Sequence, residues 1–97
     1  MIRHIVFFSA KDPNDIEAIR AGLSKLAQIP HPSKFEASLN RKSDPLSGAV
    51  DVVVYAEFED DAALAAYRAH PIYAQTTKSV KPLRELRYSA DVAAAET

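Results

Sequence analysis

Ile2-Arg3-His4-Ile5-Val6-Phe7-Phe8 is a run of β-branched and aromatic side chains with only two polar positions. Such a run reads as a strand. Alternation places Ile2, His4, Val6 and Phe8 on one face and Arg3, Ile5 and Phe7 on the other. Both faces are largely apolar, so the strand has to be covered on both sides. That requirement governs how the remaining elements are assembled.

The stretch from Val50 to Phe58 is the strongest strand in the chain, with Val52, Val54, Ala56 and Phe58 facing one way. Asp51, Val53, Tyr55 and Glu57 face the other. A third strand is expected over Ser33–Asn40, where Phe35, Ala37 and Leu39 alternate with polar residues. A fourth is expected where Leu86, Tyr88, Ala90 and Val92 alternate with Arg87, Ser89 and Asp91. Asp12-Pro13 signals a helix start, and Ile16, Ile19, Leu23, Leu26 and Ile29 form one helical stripe. Pro30 and Pro32 stop that helix near Gln28. A second helix, capped by Asp60 or Asp61, runs over Ala62–Ala69, breaks at His70-Pro71 and resumes from Ile72 towards Lys81. The order strand, helix, strand, strand, helix, strand defines an α+β class, a ferredoxin-like βαββαβ plait with an antiparallel sheet. Helices cover one face of such a sheet. Ile5, Phe7, Val53 and Tyr55 fall on the other, so a homodimer with sheets face to face is expected.

Ninety-seven residues make one domain, expected over residues 1–92, with a disordered tail over 93–97. Twelve Lys and Arg stand against thirteen Asp and Glu, which argues against a nucleic-acid or anionic-membrane partner. The absence of cysteine excludes disulfides, thiolate metal sites and thiol nucleophiles. With no apolar run long enough to span a membrane, a cytoplasmic location is expected. The only glycines, Gly22 and Gly48, make no phosphate-binding loop, and the three histidines have no metal-ligand spacing. No cofactor and no metal are therefore expected. Asp51 and Glu57, about 20 Å apart along a strand, are too distant for paired acid–base work and are expected to pair with Arg3, Arg84 or Arg87.

Met1–Phe8, Asp51–Phe58, Tyr67-Arg68-Ala69-His70-Pro71-Ile72-Tyr73 and Val80-Lys81-Pro82 together resemble the stress-responsive dimeric α/β-barrel (Dabb) family. The resemblance spans the chain from Met1 to about Val92. It implies a ferredoxin-like monomer that dimerises through its sheet into a closed barrel. Family members include stress-induced proteins and a cofactor-independent polyketide cyclase that performs an intramolecular aldol condensation. The resemblance implies a catalytic role for His4 and a pocket position for Tyr67. In that cyclase a second histidine follows the His-Pro pair by two residues, where this chain has Tyr73.

Two readings of His4 follow from its place between Ile2 and Val6. One is a buried imidazole bonded to a backbone carbonyl or a tyrosine; the other is a base in a pocket between sheet and helices. His70 is either helix punctuation or a pocket residue. Tyr73 suits a hydrogen-bond donor better than a base, since phenols ionise near pH 10. The expected site therefore has His4 and Tyr73 as catalytic residues, with Tyr67, His70, Val6 and Phe8 binding a small apolar or aromatic ligand. The function expected first is a stress-responsive protein that binds such a ligand in its barrel. Cyclase-like or cofactor-free monooxygenase chemistry is the alternative.

Overall fold

The computed structural model describes residues 1–95, and its centre is the strand that opens the chain. This strand, β1 (Ile2–Ala10), lies between two antiparallel neighbours, β3 (Val52–Phe58) and β4 (Arg84–Ala93). β2 (Lys34–Leu39) pairs with the outer edge of β3, giving the sheet order β2-β3-β1-β4. Three helices complete the fold: α1 (Ile16–Ser24), α2 (Asp61–Ala69) and α3 (Pro71–Val80). The expected ferredoxin-like α+β plait is the architecture found.

The core follows from the alternation. Val6 and Phe8 of β1 and Val52, Val54, Ala56 and Phe58 of β3 are buried against Ile19 and Leu23 of α1 and Leu64 of α2. Leu26 and Ile29, next on the α1 stripe, are also buried. The stripe is not one continuous α-helix, however. Short 3-10 turns at Pro13–Asp15 and Lys25–Gln28 flank α1, and the Asp12 carboxylate accepts from the Asn14 N–H. Asp60 caps α2 by accepting from the Ala63 N–H at 2.9 Å. α1 and α3 approach closely at Gly22, where a Cβ would stand 3.3 Å from Val80 Cγ2.

Two expectations need correction. Leu39, expected to share the covered face of β2 with Phe35 and Ala37, is 49% exposed because it lies at the far end of an edge strand. Asp51 and Glu57 do not pair with arginines. Asp51 holds the loop after β2 through Lys42 Nζ at 2.7 Å and the Ala10 N–H at 2.9 Å, while Glu57 accepts from the Tyr55 hydroxyl. At the other end of the chain, β4 includes Ala93, and the Ala94 N–H donates to the Met1 carbonyl at 2.9 Å. Of the rest of the expected tail, Ala95 belongs to no helix or strand, and Glu96 and Thr97 lie outside the described residues.

The register shows which groups share the face away from the helices. Ile5 stands between Tyr55 and Ala90, and Phe7 between Val53 and Tyr88. Phe7, Tyr88 and Val92 are 37%, 68% and 44% exposed. The apolar alternation of β4 thus serves this open face. Its polar residues, Arg87 and Asp91, pair with Phe8 and His4 on the helix side.

Candidate functional site

His4 is buried on the helix side of the sheet, edge-on to the rings of Phe58 and Tyr67. Its Nδ1 lies 2.5 Å from Asp91 Oδ1, one strand across, where the register sets the two residues opposite each other. The other carboxylate oxygen of Asp91 accepts from Arg68 of α2 at 2.6 Å. Burial pushes the Asp91 carboxyl up, but the hydrogen bonds from His4 and Arg68 outweigh it and hold the group below the usual carboxylate range. The carboxylate is therefore ionised at neutral pH and accepts the Nδ1 proton. In the neutral ring this leaves Nε2 as the proton acceptor.

A cleft opens beside His4 between the sheet, α1 and α3. It has about 390 Å³ of empty space, part of it open to solvent, of which about 30 Å³ admits the centre of a water molecule. Val6, Phe8 and Val54 form its floor, and Leu23, Leu26 and Val80 form apolar walls. The polar groups come from His4, Tyr73, Thr76, Thr77, Arg84 and Arg87. Arg87 donates to the Tyr73 hydroxyl at 3.3 Å, which orients the phenol from the β4 side.

Four of the six residues expected from sequence therefore meet in one place: His4, Val6, Phe8 and Tyr73. Tyr67 and His70 do not line the cleft. Tyr67 is fully buried behind it, packed edge-on against His4, Phe58 and Tyr73, and burial pushes its phenol well above the usual range. His70 has extended backbone and caps α3, its Nδ1 accepting from the Ile72 N–H at 3.1 Å. It is helix punctuation, because Pro71 after it forces the break and leaves an N–H to be satisfied. Sequence reasoning missed Asp91, Arg68, Arg84 and Arg87. Asp91 is 87 residues from His4, and the only signal for it was a charged residue placed mid-strand.

The described residues hold no group of three or more His, Asp or Glu able to bind a metal ion. No helix of the described chain is long and apolar enough to cross a membrane.

The chain is thus a small α+β domain, a ferredoxin-like plait whose first strand carries a buried histidine backed by a carboxylate beside an apolar cleft. The family model for the stress responsive A/B barrel domain (Dabb) matches residues 2–94, and the chain belongs to that family. No curated protein matches it. Among solved structures it is similar to a dimeric ferredoxin-like protein from Thermobifida fusca, with 27% identity, 96% of this chain and 90% of that one covered, and TM-score 0.80. It is similar also to a Dabb family protein from Mesorhizobium loti (24%, 98% and 97%, 0.80). A hydroxynitrile lyase from Passiflora edulis (20%, 99% and 94%, 0.80) shares the fold.

Proposed function

We propose that this chain acts as a homodimer that binds a small, largely apolar molecule in the cleft beside His4 and moves a proton on it without a cofactor. The observation that carries the reading is the His4–Asp91–Arg68 chain of hydrogen bonds, which fixes the ring and frees Nε2 for a proton. The apolar face of Ile5, Phe7, Val53 and Tyr55 supports the dimer, as does the dimeric state of the Thermobifida fusca protein. The family's description links such a protein to stress.

In the reaction proposed, Nε2 takes a proton from a carbon next to a carbonyl. The C–H bond breaks, its electron pair becomes the C=C bond as the carbonyl π pair moves to oxygen, Tyr73 donates to that enolate oxygen, and the carbon regains a proton, or a deuteron from D₂O, through Nε2. The narrowness of the cleft favours a second reading, binding without turnover. Deuterium uptake by phenylacetone in D₂O, followed by NMR, separates the two. Proton transfer predicts faster uptake with the wild-type protein, and a loss of about 10²-fold or more in His4→Ala. A bound probe that exchanges at the buffer rate would leave binding alone.

A further inference from the structure

Arg84 and Arg87 are three residues apart on β4, and an odd spacing along a regular strand sends side chains to opposite faces. Both nevertheless line the same cleft. The cause is a bulge. Between the pairs Phe8↔Arg87 and Ala10↔Arg84, β1 advances two residues while β4 advances three. The extra residue shifts the phase of β4 once, so that Arg84 returns to the side Arg87 occupies. A bulge leaves a backbone group without its ladder partner, and here the Leu86 N–H donates to Ser9 Oγ at 3.0 Å. Ser9 is the β1 residue between Phe8 and Ala10, so its hydroxyl closes the irregularity from the facing strand.

The ion pairs of the described residues use Arg20, Lys42 and Arg68 as cations, and His4 is the remaining partner of Asp91. Within the described chain neither Arg84 nor Arg87 has a carboxylate within 4.0 Å. Both are half-buried, and Arg87 has only the Tyr73 hydroxyl as a partner. Two guanidinium groups facing an apolar cleft with no acidic partner each have planar paired donors to offer an oxyanion.

We infer that the cleft recognises a small organic acid, its carboxylate held by Arg84 and Arg87 and its apolar body laid against Phe8, Leu23 and Val80. The inference rests on the reading that the cleft is a ligand site, and it adds the charge of the ligand. With the carboxylate held at the β4 wall, the body of the molecule runs towards His4 and Tyr73.

The test compares binding of 3-phenylpropanoate and its neutral amide, 3-phenylpropanamide, by NMR shift titration of the intact protein. The acid is expected to bind at least about tenfold more tightly than the amide. Arg84→Gln and Arg87→Gln should each reduce that preference, and the double variant should abolish it while still binding the amide. Arg87→Lys should keep part of it, since the charge remains and the planar fork is lost. Equal affinity for acid and amide in the wild-type protein would overturn the inference and leave the ligand cleft standing. A preference that survives in the double variant would also overturn it. If neither probe shifts resonances of cleft residues, the ligand-site reading falls and this inference falls with it. The amide spectrum of each variant reports whether it has kept its fold.

Discussion

Asp91 does two things at once: it satisfies a buried ring nitrogen, and it leaves Nε2 as the nitrogen of His4 available to the proton transfer proposed above. Removing it should show both. Asp91→Ala leaves the Nδ1–H of a buried histidine without an acceptor and is expected to cost about 1–3 kcal/mol in denaturant unfolding. Asp91→Asn keeps an acceptor for Nδ1 and should cost less, while removing the negative charge that would steady a protonated ring. Its effect belongs to the phenylacetone exchange rate more than to stability. A variant as active as wild type would take the carboxylate out of the mechanism. His4, Val6 and Phe8 were legible as a facing set because strand alternation is local. Asp91 was not, because its role depends on antiparallel register between the two ends of the chain.

Elements begin and end here for reasons that single side chains carry. His70 replaces the more usual Ser, Thr, Asp or Asn as the cap of α3, using a ring nitrogen as acceptor. His70→Ala is expected to cost about 0.5–2 kcal/mol, and His70→Asn to restore most of it; thermal unfolding of the pair would check this. Equal losses in both would remove the cap as the reason for His70. The loop between β2 and β3 is tied by Asp51, whose carboxyl burial pushes up but Lys42 and the Ala10 N–H hold below its usual range. Asp51 thus ionises more readily in the folded chain than in the unfolded one, where carboxyls of its type titrate near about 3.9. The stabilisation is complete well above that pH and is lost as pH falls through the lowered native value. Asp51→Asn should cost about 0.5–1 kcal/mol at neutral pH, since Lys42 is largely exposed, and almost nothing near pH 2. A cost unchanged in acid would mean that the tie is not ionic. The stripe of α1 and the alternation of β3 announced themselves because each buries one face. β4 misled, because its apolar residues serve the open face while Arg84 and Arg87 line the cleft. A bulge leaves no mark in a hydropathy pattern.

At the scale of the molecule, the sheet is finished on one side only. Phe7, Tyr55 and Tyr88 occupy the open face beside Ile5 and Val53, and a second copy would cover them. Phe7→Glu is therefore expected to shift the protein from dimer to monomer in light scattering, at micromolar concentration and with its fold retained. A variant that remained dimeric would place the interface elsewhere. The open face and the cleft lie on opposite sides of one sheet, so changes in one need not disturb the other. The bulge at Ser9 has a consequence of its own. Ser9→Ala removes the acceptor that accommodates the surplus residue and should weaken the preference for acid over amide while both arginines remain. β4 is also an edge strand, free along one side to gain or lose a residue. One residue deleted between Arg84 and Arg87 would leave the pair two apart opposite two residues of β1, so the ladder would run without a bulge and both arginines would still face the cleft. The surplus residue is thus the counterpart of an odd spacing, and a relative with an even spacing would carry the same charged wall on an unbulged strand.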